Sequence, residues 1–330
     1  MAGLSESGRS ELLYGLNAVV EAPAVLPRPD SVVKTAHTMP QPAHLTRREV
    51  LRTAALGAFS LPFLGSLGHA AVAAETAPAA PRAERLRLGV ASYSLRNLSL
   101  DDAIASVKAL RVSNIALFKN HCAWETASIE ECRAVGEKLK AAGLALTGSG
   151  VVNLPNDEAK CRKAFENVKA AGMATMVCKP EIAALPLVEK LVKEFDQKLA
   201  IHNHGPEDKI YPTPEVAWNA IKSFDARIGL CIDVGHTARF GDDAAASIKK
   251  YAARLYDVHM KDSVAIPGAM KDVPIEVGAG RLDIRGMLRA LIDVNYQGVV
   301  AFEYEKVAGN PVTGLAESVG YVRGMLAGMT

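Results

Sequence analysis

From residue 85 onward, short apolar runs alternate with longer stretches whose apolar residues recur every three or four positions. The first kind reads as buried strand and the second as amphipathic helix. Eight candidate strands stand out: RLGVASYS, NIALFKNH, LALTGSGVV, ATMVCKP, KLAIHNHG, IGLCIDVGH, LYDVHMKD and GVVAFEYE. They recur at roughly 25 to 30 residues, with a longer last gap, which is the rhythm of βα units in one sheet. Helix signals fall between them. Ser99 precedes LDDAIASVKAL, Ser128 and Glu131 form a capping box before CRAVGEKLKAAG, and Thr213 with Pro214 opens EVAWNAIKSF. Gly143 and Gly172 stand where helix-ending glycines belong. Eight such units in roughly 245 residues predict an α/β fold, a single (β/α)8 TIM barrel over residues 85–330. The competing doubly wound sheet lacks a glycine-rich phosphate loop after its first strand.

The chain before residue 85 is different in kind. TRREVLR at 46–52 leads into the uncharged run TAALGAFSLPFLGSLGHAAVAA and a small-x-small site at Ala71-Val72-Ala73. This predicts a cleaved twin-arginine (Tat) signal peptide over 46–74, a linker over 75–84 and an N-terminal extension over 1–45. A membrane anchor is the competing reading, but Pro62, three glycines and several alanines leave the run poorly apolar. Met39 opens a more ordinary lead, MPQPAHLTRRE, so translation is expected to start there rather than at Met1; an intact Met1 terminus in the precursor mass would refute this. Export would make the Tat machinery a partner and place the barrel in the periplasm or another extracytoplasmic space. That pathway carries folded proteins, which suits an enzyme loaded with metal beforehand.

A formal net charge of +2 without long Lys or Arg runs, and only 5% aromatic residues, argue against nucleic acid and for a small-molecule partner. The five cysteines are scattered and odd in number, so they read as buried free thiols. A homo-oligomer is left open.

In a barrel of this kind the chemistry gathers at the C-terminal ends of the strands. The fifth strand sets Ala200, His202 and His204 on one face, and the sixth sets Gly229, Cys231 and Asp233. Asp257, His259 and Lys261 alternate with Val258 and Met260 in the seventh; Ala301, Glu303 and Glu305 alternate with Val300, Phe302 and Tyr304 in the eighth. Four successive strands thus aim His, Asp, His and Glu at one mouth. Buried carboxylates are costly unless paired, and one divalent cation would satisfy them together. A mixed imidazole and carboxylate set suits Mn2+ first, with Zn2+, Co2+, Fe2+ or Mg2+ as alternatives, better than Ca2+.

CIDVGH at the sixth strand, DVHMKD at the seventh, VGAGRLDI after it and AFEYE at the eighth carry a resemblance. From about residue 85 on, the chain resembles the xylose-isomerase-like TIM-barrel superfamily of sugar isomerases and epimerases, including tagatose-type epimerases and inosose dehydratases. The resemblance implies Asp233, His259 and Glu303 as metal ligands and His236 as a substrate contact. The fifth strand of the epimerases usually supplies a glutamate that binds metal and moves a proton; here His202 stands at that position. That removes one of the paired bases of a symmetric epimerase and favours a reaction with one dominant proton abstraction. FKNH, CKPE, AIHNHGPED and GLCIDVGHTAR also resemble an exported subgroup acting on 3-keto-glycosides.

The implied function is a metal-dependent sugar isomerase or epimerase acting on a keto-sugar through a metal-stabilised enediolate or enolate. A 3-keto-glycoside lyase or hydratase working by β-elimination is the alternative. A non-catalytic periplasmic sugar- or metal-binding protein is the alternative of another class, and an intracellular sugar-phosphate isomerase is a third. Glu303, Glu181 and His204 are candidate bases. Lys261 and Lys119 are candidates for stabilising an oxyanion or protonating a leaving oxygen, and His121 is a candidate sugar contact. His202 is read as the metal ligand and His204 as facing the substrate, roles that a one-residue strand irregularity would exchange. The long gap after the seventh strand is expected to carry a loop over the mouth.

Overall fold

The predicted rhythm is the observed one. The computed structural model describes residues 85–266, 272–306 and 310–329; the 1–45 extension, Met39, the twin-arginine segment, Ala71-Val72-Ala73 and the linker lie outside the described residues. The elements run β1 (Arg87–Ala91), α1 (Leu100–Ala109), β2 (Asn114–Leu117), α2 (Ile129–Ala141), β3 (Ala145–Ser149), β4 (Val152–Leu154), α3 (Glu158–Ala170), β5 (Thr175–Pro180), α4 (Leu185–Phe195) and β6 (Lys198–His202). They continue with α5 (Pro214–Ile221), β7 (Ile228–Asp233), α6 (Val234–Phe240), α7 (Ala244–Tyr251), β8 (Leu255–Met260), β9 (Asp262–Val264), β10 (Val273–Ile275), α8 (Ile284–Asp293), β11 (Val299–Phe302) and α9 (Pro311–Gly328). The caps expected from sequence are formed: Ser99 accepts from the Asp102 N–H, Ser128 and Glu131 make the full capping box, and Thr213 accepts from the Val216 N–H. Gly143 and Gly172 have φ of 78° and 70°.

The main sheet is parallel, in the order β3-β2-β1-β11-β8-β7-β6-β5-β4. Its two outermost members, β3 and β4, are consecutive in the chain and separated by Gly150 and Val151. The third barrel strand, expected as one run, is therefore broken, and its two pieces pair on opposite sides to close the ring. Across the seam the Ser149 hydroxyl donates to the Val177 carbonyl at 2.9 Å. At the break a Cβ on Gly150 would lie 2.7 Å from the Phe118 ring, so the chain passes there only without a side chain.

Alternation sorts the side chains as the sequence pattern requires. Val177, Ala200 and Cys231 pack inside the barrel, while Ile201, Leu230, Ile232, Val258 and Met260 join the core beneath the helices. One irregularity matters for the mouth. Leu230 pairs with Leu255, but Cys231 pairs with Asp257 and Asp233 with His259, so Tyr256 is an extra residue in β8. The bulge restores the register that turns Asp257 and His259 inward beside Cys231 and Asp233. Gly229 leaves room for the Tyr256 ring, which a Cβ there would approach to 2.5 Å.

Among the described residues of the gap after β8, β9 and β10 pair as the two arms of an antiparallel hairpin, with Val273 opposite Val264 and Ile275 opposite Asp262. The Asp262 carboxylate, buried at the hairpin's base, accepts from the N–H groups of Ser263, Gly278, Gly280 and Leu282 at 2.8 to 3.1 Å. That carboxylate anchors the VGAGRLDI turn to the rim of the barrel, where it stays next to the mouth.

Candidate metal centre

Three neighbouring strands and the residue after a fourth deliver the cluster. β6 ends on His202, β7 on Asp233, β8 carries His259 one residue before its end, and Glu303 follows β11 directly. The sixth strand stops at Asp233 rather than continuing through His236, because the Asp233 Oδ1 caps α6 by accepting from the His236 N–H at 2.8 Å. That cap commits one carboxylate oxygen and leaves Oδ2 facing the mouth. Asn203 fixes the backbone at this point: its Oδ1 accepts from the Asp233 N–H at 3.0 Å and its Nδ2 donates to the Thr237 Oγ1 at 3.1 Å. The Thr237 hydroxyl in turn donates to the Asp233 carbonyl at 2.6 Å.

One donor atom from each of His202, Asp233, His259 and Glu303 lies within 4.8 Å of every other. The His202 Nε2 is 3.3 Å from the Asp233 Oδ2, and the His259 Nδ1 is 3.3 Å from the Glu303 Oε2. Both ring nitrogens of His202 and both of His259 are buried and make no hydrogen bond. Buried polar atoms are nearly always satisfied, so one unpartnered nitrogen from each imidazole, beside the carboxylates of Asp233 and Glu303, fits a divalent cation. A second grouping, His202, Cys231 and His259, is also close enough, but burial pushes the Cys231 thiol up to about 12, which disfavours the thiolate a metal needs.

Burial lowers His202 to about 4 and His236 to about 2, so both imidazoles are neutral at neutral pH. Burial opposes ionisation of Asp233 and Glu303, yet His236 and Lys261 around the first, and Lys261 and His259 around the second, hold both well below the usual carboxylate range. Because His236 is itself neutral, Lys261 is the dependable source of that effect at Asp233. Its ammonium is 2.9 Å from the Asp233 Oδ2, 2.7 Å from the Glu303 Oε2 and 2.5 Å from the Glu305 Oε1.

The cluster opens on a cavity of 160 Å³ lined by Tyr93, His202, His204, His236, Glu303 and Glu305, among others. This adjoins a second cavity of 340 Å³ that shares Tyr93, His204, His236 and Glu305 and extends to Arg239 and to Asp272 near the hairpin. A larger depression of 510 Å³ lies at the other end of the barrel, around Thr175, Lys198, Leu255 and Gly298, and contains none of the cluster.

The structure brings His202, and not His204, into the cluster: β6 and β7 stay in register through His202, so no irregularity exchanges the two. His204 is exposed at the mouth, its ring centroid 4.5 Å from that of His236. His236 lines both cavities, and its Nδ1 accepts from Arg239 at 3.0 Å. Three expected residues are not brought to the cluster. Both nitrogens of His121, the candidate sugar contact, are taken within the protein: Nδ1 accepts from the Ser92 hydroxyl at 2.8 Å and Nε2 donates to the Leu98 carbonyl at 3.1 Å. Glu181 is exposed and accepts from the Asn156 N–H at 3.0 Å. Lys119 is exposed, with its ammonium 5.9 Å from the ring of its own neighbour Phe118. None of the three lines either mouth cavity. The sequence reading missed Asn203 as the clamp on Asp233, and Tyr93 and Arg239 as walls of the mouth. Tyr93 had a legible signal, since it lies in the first strand run, RLGVASYS.

Residues 183–325 match the family model described as xylose isomerase-like TIM barrel. Over that stretch the chain is similar to the xylose isomerase-like TIM barrel proteins. It is 26% identical over 148 residues to an inosose dehydratase of Clostridium perfringens, covering 40% of this chain and 50% of that protein. The chain thus spans about half the length of that relative. Among solved structures, the barrel is similar to the Escherichia coli 3-keto-D-glucoside 4-epimerase YcjR, with a TM-score of 0.59 at 15% identity, over 72% of this chain and 99% of that one. It is also similar to a D-psicose 3-epimerase solved with D-fructose, with a TM-score of 0.57 at 17% identity, over 73% and 97% of the two chains. These two likenesses, at low identity, support the barrel fold. Proteins of that family often bind a divalent metal, and the four-residue cluster here is a possible site for one.

Proposed function

We propose that this protein is a divalent-metal-dependent enzyme of the sugar isomerase and epimerase class, acting on a keto-sugar by removing the proton beside its carbonyl. The observation that carries the reading is the convergence of His202, Asp233, His259 and Glu303, the two imidazoles buried without hydrogen bonds, on a cavity open at the barrel mouth. Two imidazoles and two carboxylates are a donor set suited to manganese or a similar cation. When bound, such an ion supplies Lewis-acid stabilisation of negative charge developing on substrate oxygens. The chain's own residues do the rest. Glu303 is positioned at the mouth to accept the proton, with His204 as the other base facing the cavity. Lys261 is placed to donate a hydrogen bond to a developing oxyanion or a proton to a leaving oxygen. His236 and Arg239 offer hydrogen bonds to hydroxyl groups, and Tyr93 offers a flat apolar face.

A single dominant base fits β-elimination from a 3-keto-glycoside as well as it fits isomerisation. The second reading gains support from the adjoining 340 Å³ cavity, which leaves room beside the cluster for an aglycone. The relatives point to both chemistries, with an inosose dehydratase and a 3-keto-D-glucoside 4-epimerase among them. Proton NMR in deuterated water, with the manganese-loaded protein and a 3-keto-glucoside, separates them. Release of the aglycone supports elimination, and deuterium entering beside the carbonyl of an intact glycoside supports isomerase or epimerase chemistry. No change with either this substrate or free ketohexoses would favour a binding protein without catalysis. The twin-arginine segment supports a periplasmic location; recovery of the mature protein in the cytoplasmic fraction alone would overturn that part.

A further inference from the structure

The two carboxylate oxygens that face the candidate metal position are already engaged by a cation from the chain itself. The Lys261 ammonium lies 2.9 Å from the Asp233 Oδ2 and 2.7 Å from the Glu303 Oε2. These are the same atoms that stand 3.3 Å from His202 and His259. Asp233 has no spare oxygen to offer, because Oδ1 is committed to the α6 cap. The lysine is 8% exposed, and its stem lies along the backbone of Gly235, where a Cβ would come within 3.1 Å of it. A third carboxylate, Glu305, is 2.5 Å from the same ammonium and lines both mouth cavities, on the outer side of the cluster.

Resting on the metal reading above, we infer that Lys261 is the resident counter-ion of the metal-free site, and that a divalent cation enters by displacing its ammonium from Asp233 and Glu303 onto Glu305. The charges support the exchange. Three carboxylates around one ammonium leave a net negative site that attracts a cation, but a dication and an ammonium on the same two oxygens repel strongly in a buried setting. Glu305 gives the displaced ammonium a partner that lies outside the four-residue donor set. Lys261 is then a positioning residue: it keeps two buried carboxylates paired in the empty protein, and it sets how tightly the metal binds.

The two partners of this exchange predict opposite effects. Lys261→Met removes the competing cation, so manganese should bind about tenfold or more tightly, while the protein in EDTA melts at a lower temperature because two buried carboxylates have lost their counter-ion. Glu305→Gln leaves the ammonium nowhere to go, so manganese should bind several-fold more weakly than in the wild type. Isothermal titration with Mn2+ alone, together with thermal melts in EDTA, reads both on the full chain without substrate. A lysine acting only as scaffold would weaken metal binding when removed; that result, or an unchanged affinity in Glu305→Gln, overturns the inference. Should Lys261→Met fail to fold, the Glu305→Gln affinity decides by itself. If the wild type binds no manganese, the metal reading fails and this inference with it. Wild-type binding without the two opposite shifts removes this inference alone.

Discussion

Replacing Asn203 with alanine tests whether the cluster is built from its backbone outward. Asn203 is 1% exposed, accepts from the Asp233 N–H at 3.0 Å and donates to the Thr237 Oγ1 at 3.1 Å. Each lost hydrogen bond costs about 0.5–1.5 kcal/mol, and leaving the Asp233 N–H buried without an acceptor adds about 1–3 kcal/mol. The expected loss is about 2–4 kcal/mol, or roughly 5–12 °C in Tm for a domain of this size. Because the same bonds aim Asp233, manganese affinity should fall about tenfold or more. Thermal melts in EDTA and isothermal titration with Mn2+ measure the two effects, and Asn203→Asp, which keeps the acceptor oxygen, should recover part of both. A Tm within about 2 °C of the wild type and an unchanged manganese affinity would refute the view that this side chain holds Asp233 in place.

Glu303→Gln should leave the barrel folded by circular dichroism and cut turnover by about a hundredfold or more; an active variant removes Glu303 as the base. Gly229→Ala puts a Cβ 2.2 Å from the Arg254 carbonyl oxygen and 2.5 Å from the Tyr256 ring at the bulge, so about 1–3 kcal/mol of stability should be lost in urea titration. Arg227 hydrogen-bonds the Asp225 carboxylate through two nitrogens at 2.9 and 3.0 Å and holds its pKa well below the usual value. The folded pKa is depressed, so this pair stabilises above pH ~4 and its contribution fades as pH falls toward the folded value. The wild type should exceed Asp225→Asn by about 1 kcal/mol or less at pH 7, since the pair is partly solvated; a gap that widens on acidification contradicts the assignment.

How far the sequence could be read depends on which interactions are local. The eight strand runs, the caps at Ser99, Ser128 and Thr213, and the left-handed glycines all involve residues within a few positions of one another, and each was legible. The inward set His202, Asp233, His259 and Glu303 was legible because alternation along a strand is also local. The break at Gly150 and the bulge at Tyr256 were not, since each depends on a partner strand: the Phe118 ring in one case and Gly229 in the other. The same limit explains the outer residues. His121, Glu181 and Lys119 sit near strand ends as polar residues facing a mouth would, but whether such a side chain meets substrate or a loop carbonyl depends on where the loops fold. Ser92, Leu98 and Asn156 turn out to engage two of these three side chains. Asn203 lies between His202 and His204 and so on the opposite face of the strand, but its role comes from the turn after Asp233, which the strand reading carried three residues too far.

The central claim is that one divalent cation sits among His202, Asp233, His259 and Glu303. Anomalous diffraction at the manganese edge, from crystals of the manganese-loaded protein, tests it most directly. The account predicts one strong peak at about 2.0–2.3 Å from a donor atom of each of the four side chains, with the Lys261 ammonium moved onto Glu305. A cluster without a peak in protein saturated with manganese, or a peak found only at exposed carboxylates elsewhere, would contradict it.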